Sequence, residues 1–385
     1  MSAEKRKILF VTERRADYSR LKPIMKAVQN SSKLELQLVV TGMHLLKKFG
    51  ETRKIIEEDG FKIDAVVPIF EEDDQDDGAS MVKGMGRALI SFADIFPKLK
   101  PTIIFSGFDI GANFAAAITG MHLNIHVAHI QGGEVSGTVD EVIRHAMTKF
   151  AHIHFAATEK SAERIIKLGE NPKYVFNVGS PSLDTIHNLE YYSKKEMAKK
   201  YGFDENKPLI IILQHPVTTE VDEVVSQIKE TIDAVKEVNN KYQTQAITIY
   251  SNNDAGGKRI VDYIQQSGIK AYPHIPYEDF LRLLKVSSVL VGNSSAAIHE
   301  APSLKIPGVN IGSREQLRER GNNIIDVPYD KTAIAVAIKK ALFDEEFKKI
   351  VAKGLNPYDN GNVAEKVVEI LESINLPPIQ KVITY

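Results

Sequence analysis

At 385 residues the chain exceeds a single typical domain, and a soft prior of one domain per roughly 150 residues sets the expectation at two or so cores. A hydrophobic content of 43% with 26% charged residues lies in the ordinary globular range and excludes disordered and collagen-like classes. The formal net charge of -1 excludes a bulk field that would draw the chain onto nucleic acid or an anionic bilayer, and the absence of Cys excludes a disulfide framework, a thiolate nucleophile and a Cys-based metal site.

The basic lead MSAEKRK is followed by an apolar run too short for a signal peptide, and no run reaches the roughly 18 residues of a membrane span. A cytoplasmic location is therefore expected. Ile8 to Thr12 is a short apolar run, and Leu21, Ile24, Met25 and Val28 follow at helical spacing, so a strand feeds a helix. The alternation continues through LELQLVVTG, AVVPIF, TIIFSG, IHVAHIQGG, HIHFAAT and YVFNVGS. The acidic stretch Glu71 to Asp77 reads as a solvated loop, because it lacks the fixed spacing of a calcium site. Residues 181–208 are polar, and then the alternation restarts with LIIILQHPV, AITIYSN, VLVGNSS and VNIG.

Continuous Val/Ile-rich runs predict strands buried on both faces, hence an α/β fold of parallel sheets sandwiched by helices. Two doubly wound Rossmann-like domains are expected, residues 1–183 and 184–362, meeting across an interdomain cleft. Ligands of such sheets bind beyond the carboxyl ends of the strands. The residues that follow each strand are thus the ones to weigh.

ERRADYS, after the first strand, offers Arg14 and Arg15 to an anion. HIQGGEVSGTVDEVIRHAMTKF runs from a strand through two glycines into a helix, with Thr138 and Glu141 spaced as a capping box. Val139, Ile143, Ala146, Met147 and Phe150 form its apolar face, and Asp140, Glu141, Arg144 and His145 lie on the other side. Gly132 and Gly133 would let a ligand approach the backbone just before Glu134. A solvated face with ion pairs such as Asp140 to Arg144 is the plainer reading of the helix alone, and its place at a strand end favours function. In LQHPVTTE, His215 could handle a proton; in YSNNDAGG, Asn252 and Asp254 could bind hydroxyls. VGNSSAAIHE places Asn293, Ser294 and Ser295 between a buried strand and a helix beginning at Ala296, an arrangement suited to a diphosphate but also to simple capping.

Taken together, RADYS, TGMHL, GGEVSGTVDEVIRHA, GSPSLD, LQHPVTT, NDAG, GNSS and VNIGSR resemble the hydrolysing UDP-N-acetylglucosamine 2-epimerases of nonulosonic (sialic-type) acid synthesis. The resemblance implies a GT-B fold with the nucleotide mainly on the C-terminal half. It also implies a closing helix within about residues 363–385, belonging with the first domain. The implied reaction eliminates UDP from a UDP-2-acetamido sugar through a glycal, which water then hydrates to the free 2-epimer. By position, Arg15, Ser294 and Ser295 would hold the diphosphate, Glu300 the ribose, and the backbone around His274 and Ile275 the uracil. His215 would lie near the leaving oxygen, and Asp109, Glu134, Asp140 and Arg144 around the sugar. His145, Asn252, Asp254, Asn293 and Arg314 complete the implied binding set. No cofactor and no metal are implied, and relatives imply a homodimer or homotetramer.

This chain departs from the family pattern at several places. SGFDIGA stands where HGDRFD is common, so Ile110 falls on the motif's arginine. Gln131 replaces a glutamate that is a candidate acid or base, and an amide cannot exchange that proton; Glu134 or Asp109 would serve instead. Glu13 replaces a small residue, Ala297 a glycine, and Glu315 to Leu317 interrupt the pattern after Arg314. The uridine half is better kept than the sugar half, which points to an altered acetamido sugar. A GT-B glycosyltransferase and a non-catalytic nucleotide-sugar-binding homologue are the alternatives.

Overall fold

The computed structural model describes residues 5–75, 77–137, 140–251 and 254–385. The chain divides into two units: Met1–Glu134, Val139–Asp184 and Asn360–Tyr385 form the first, and Val135–Thr138 with Thr185–Asp359 the second. Among the described residues the first unit holds a wholly parallel sheet of β1 (Arg6–Thr12), β2 (Leu34–Thr41), β3 (Ala65–Val67), β4 (Ile103–Ser106), β5 (His126–Ile130), β6 (Ile153–Ala156) and β7 (Val175–Asn177). Their order is β3-β2-β1-β4-β5-β6-β7. The second unit has β8 (Leu209–Leu213), β9 (Gln245–Ile249), β10 (Lys270–Tyr272), β11 (Val289–Gly292), β12 (Gly308–Ile311) and β13 (Ile324–Val327), in the order β10-β9-β8-β11-β12-β13 and likewise parallel. Each sheet reverses direction beside its first strand, which is the doubly wound Rossmann arrangement. Two such units are the components of the GT-B fold.

The apolar runs explain the layering. In β1, Ile8 and Phe10 pack with Leu21, Ile24 and Met25 on one face, while Leu9 and Val11 pack with Phe92, Phe96 and Ala116 on the other. All four strand residues are fully buried, and burying each such side chain contributes about 1.5–3 kcal/mol. In β8, Ile210 and Ile212 meet Ile228 and Ile232 of the helix Val224–Tyr242 in the same way. β10 and β13 are short edge strands that no apolar run announces. β3 stops at Val67 because Pro68 has no N–H to give the ladder.

Residues far along the chain complete the first unit. The helix Val363–Ser373 buries Val363, Val367 and Leu371 in the cluster that holds Leu21, Met25 and Val28. Its N-cap, Asn362, makes no side-chain cap; instead the Asp184 carboxylate accepts the Val363 and Ala364 N–H groups at 2.8 and 2.6 Å. Beyond the helix, His126 Nε2 donates to the Pro377 carbonyl at 2.8 Å and His152 Nε2 to the Ile379 carbonyl at 3.1 Å. Buried Glu170 gathers His154 Nε2 (3.2 Å), Lys149 Nζ (2.5 Å) and Lys381 Nζ. Burial alone would raise the Glu170 carboxyl, but these hydrogen bonds outweigh it and hold it at about 2.

Several histidines of this unit are folded in the neutral form. His152 Nδ1 accepts the Val127 N–H at 3.2 Å, a role that protonation would abolish. Burial lowers His44 and His152 to about 4 and His129 to about 3. Each therefore contributes stability that is complete above the unfolded value of about 6.5 and is lost as pH falls towards the folded value. The urea midpoint is expected to fall steadily from pH 6.5 to 4, with the unfolded chain holding up to about three more protons than the native one near pH 5 from these side chains alone. A flat midpoint across that window would contradict the neutral-histidine assignment.

Candidate active site

In the first unit, strand ends deliver the polar residues. β1 turns at once into the helix Arg15–Asn30, and Asp17 holds that turn by accepting from the Thr12 hydroxyl (3.0 Å), the Glu13 N–H (2.9 Å) and the Arg14 N–H (2.8 Å). Arg15 occupies the first helical position, half-buried, and burial lowers its guanidinium pKa. β4 leads through Asp109 into the helix Gly111–His122, and β5 leads through Gln131 and Glu134 towards the helix Asp140–Phe150.

Arg144 joins these loops. On the polar side of its helix, where its place at a strand end favours function over a solvated face, it is only 3% exposed. Its Nη2 pairs with the Asp109 carboxylate, and its Nη1 donates to the Glu134 carbonyl at 3.0 Å and reaches Glu141 Oε2 at 3.4 Å. Glu141 Oε1 in turn lies 2.9 Å from His145 Nε2. A planar fork of five donors can satisfy these acceptors together, which is what permits a buried guanidinium here. Asp140 is the first residue of the same helix and half-buried; Thr138, its expected cap, lies outside the described residues.

Glu134 is 4% exposed, and its Oε1 accepts from Gln131 Nε2 at 2.8 Å. Gln131 adopts a left-handed backbone, φ 59°, and its N–H donates to the Phe155 carbonyl of β6 at 2.8 Å. The two glycines after it serve packing within the protein. A Cβ at Gly133 would stand 2.2 Å from the Ser161 carbonyl oxygen, and one at Gly132 2.9 Å from His129 Nδ1. His129 lies fully buried beneath this cluster, and burial with the neighbouring His154 keeps it neutral. Its signal in the sequence was a histidine inside an apolar strand.

In the second unit the ends of adjacent β8 and β11 are tied together. Asn293, fully buried, accepts the His215 N–H on Oδ1 at 2.7 Å and donates from Nδ2 to the His215 carbonyl at 2.8 Å. Gly292 is obligatory before it: φ is 137°, and a Cβ would stand 2.1 Å from the Leu213 carbonyl oxygen. Arg314 Nη1 donates to the Asn293 carbonyl at 3.1 Å and pairs with buried Glu315 at 2.5 Å. Glu315 also meets Arg318 Nε at 2.5 Å, so the residues that interrupt the sequence pattern supply a brace for two arginines.

The helix expected from Ala296 is two single turns, Ala296–His299 and Ala301–Leu304, parted at Glu300. Pro302 lacks the N–H that would continue the ladder. Ser294 Oγ accepts the Ala296 N–H at 3.3 Å, Ser295 caps the first turn by position, and Glu300, 1% exposed, accepts from the Tyr277 hydroxyl at 3.3 Å. His274 is half-buried between β10 and the helix Tyr277–Val286, and the Asp254 carbonyl accepts the Gly257 N–H at 2.8 Å in a turn. Asn252 lies outside the described residues. The first unit thus brings together Asp109, Gln131, Glu134, Arg144 and His145, and the second His215, Asn293 and Arg314. Among the described residues no group of three or more His, Asp and Glu is placed to hold a metal ion, and no helix is long and apolar enough to cross a membrane.

The family model described as UDP-N-acetylglucosamine 2-epimerase matches residues 26–372. The chain is 37% identical over 375 residues to a hydrolysing UDP-N,N'-diacetylbacillosamine 2-epimerase of Legionella pneumophila, covering 96% of this chain and 97% of that protein. It is 34% identical to a polysialic acid biosynthesis protein of Escherichia coli, covering 95% and 94%. The crystal structure of a Neisseria meningitidis UDP-GlcNAc 2-epimerase bound to UDP-GlcNAc is similar in fold, with TM-score 0.81, 20% identity and coverage of 95% and 99%.

Arg144 supplies an immediate test of this geometry. A lysine has no fork, so Arg144→Lys should lose at least one charged hydrogen bond and destabilise the protein by about 1.5–3 kcal/mol. Urea denaturation of the two proteins measures it, and an unchanged midpoint would refute the bridging role.

Proposed function

The chain belongs to the UDP-N-acetylglucosamine 2-epimerase family, and from there we propose that it is a hydrolysing 2-epimerase whose substrate is a UDP-linked 2,4-diacetamido sugar of the diacetylbacillosamine type. The Legionella pneumophila relative named for that substrate, similar along 96% of this chain, supports the choice of sugar. So do the departures at Ile110 and Gln131, which fall in the half expected to meet the sugar. The observation that carries the chemistry is the buried Glu134 carboxylate, held by Gln131 and set in one loop cluster with the Asp109–Arg144 pair.

The proposed reaction has two stages. A base takes the proton from C2, the bond from C1 to the diphosphate oxygen breaks, and UDP leaves behind a C1=C2 glycal. Water then adds its hydroxyl to C1 while C2 is protonated from the opposite face, which yields the free 2-epimer. The C2 proton is barely acidic, so the rate depends on a positioned base and on stabilisation of the departing anion. Glu134 or Asp109 is assigned to C2, since Gln131 has no proton to exchange. Gln131 orients Glu134, and Arg144, Asp140 and His145 attend the sugar. His215 is assigned to the leaving group, Arg15, Ser294 and Ser295 to the diphosphate, Glu300 to the ribose, and the backbone around His274 to the uracil. Asn252, Asp254, Asn293 and Arg314 complete the binding set. The free sugar, an N-acetylmannosamine-type product, would then be condensed into a nonulosonic acid, consistent with the Escherichia coli relative's name. On the resemblance alone, the working form is a cytoplasmic homodimer or homotetramer.

Turnover is expected as release of free UDP and a free 2-epimeric sugar, fastest on the 2,4-diacetamido member of a UDP-2-acetamido sugar panel. Glu134→Gln or Asp109→Asn should cut UDP release by roughly 10²- to 10⁴-fold while UDP affinity stays near normal, because proton transfer acts on the transition state. Wild-type turnover in both variants would overturn the assignment, and transfer only in the presence of an acceptor would indicate a glycosyltransferase. The triple variant Ser294→Ala, Ser295→Ala, Glu300→Ala should lose UDP affinity.

A further inference from the structure

The helix Gly111–His122 begins without a cap of its own. Its N-cap residue is Ile110, whose side chain accepts no hydrogen bond, although the first N–H groups of a helix need acceptors. The acceptor arrives from 99 residues away: Glu13 Oε2 takes the Ala112 N–H at 2.8 Å. The site for Glu13 is built for it. The side chain is 7% exposed, and its Cγ lies so close over Gly42 that a Cβ there would stand 2.4 Å away; Gly42 also has φ 58°, which favours glycine.

Asp109 directly precedes the N-cap and is therefore the nearest carboxylate in sequence to these helix donors. Its carboxylate is paired with Arg144. The two acids divide the work: one caps the helix, the other faces the arginine.

We propose that Glu13 is a positioning residue that fixes the turn from Gly107 to Ala112 and keeps Asp109 on Arg144 by filling the cap that Asp109 would otherwise occupy. The proposal rests on the assignment of Asp109 to the sugar made above. Removing the acceptor would leave the buried Ala112 N–H unmet, and relief would come from a shift of Asp109 towards the helix start. A displacement of about 1 Å in a reacting group costs on the order of 100-fold in rate.

The test compares Glu13→Ala with Glu13→Gln, which keeps an acceptor oxygen of the same reach. Glu13→Ala is expected to lower kcat for UDP release by roughly 10- to 100-fold with UDP affinity retained, and to speed hydrogen exchange at the Ala112 amide. Glu13→Gln should recover most of both losses. Should Glu13→Ala fail to fold, the double variant Glu13→Ala, Ile110→Ser supplies a local cap and is expected to restore the Ala112 protection. The proposal falls if Ala112 loses protection while kcat is kept, or if Glu13→Gln loses as much as Glu13→Ala with both proteins folded. If the wild-type protein releases no UDP from any sugar of the panel, the functional reading fails by itself, and exchange at Ala112 still decides whether Glu13 holds the turn.

Discussion

A strand covered on both faces has no place for charge except at its ends, and this constraint organises the chain. β1 carries four consecutive fully buried apolar residues between Lys7 and Thr12. The same exclusion in β4, β5, β8 and β11 leaves Asp109, Gln131, Glu134, His215 and Asn293 to the loops that follow. Because all strands in each sheet run parallel, those loops gather along one edge of each sheet. Chemistry collects there as a result of burial elsewhere.

Charge at such an edge must then be satisfied locally, and the structure uses paired acids and bases for this. Arg144 is held by Asp109, Glu141 and a main-chain carbonyl; Arg314 and Arg318 are braced by Glu315. Fixed partners cost less reorganisation than water when charge develops during a reaction. The Gln131 amide on Glu134 belongs to the same logic. A carboxylate at 131 would set a second negative charge against Glu134, whereas the amide donates a hydrogen bond to it.

The doubly wound fold was legible because its signal lies in runs of four or five residues, such as LIIIL and VLVG, that report burial directly. β10 and β13 were not, because an edge strand needs burial on fewer sides and KAY carries no run. The strand ends marked where polar residues would gather, Arg144 among them, but helical spacing alone is equally met by a solvated face. Only its partners Asp109 and Glu134, from two different loops, explain its burial. Glu315 read as an interruption and proved to be a brace. The caps were least legible: Ile110 and Asn362 contain no hint that Glu13 and Asp184 accept for the helices they precede.

The tie between Asp184 and Val363 has a consequence for synthesis. The residues that close the first core, Val363, Val367 and Leu371, are synthesised about nine to thirty-six seconds after Asp184 at roughly 5–20 residues per second, because some 180 residues separate them. Until then Leu21, Met25 and Val28 lack part of their covering. The second unit is meanwhile synthesised as one nearly continuous stretch and can mature first. The nascent first unit would thus present an apolar seam for many seconds, so chaperone demand during translation should concentrate on the half of the protein that is made earliest.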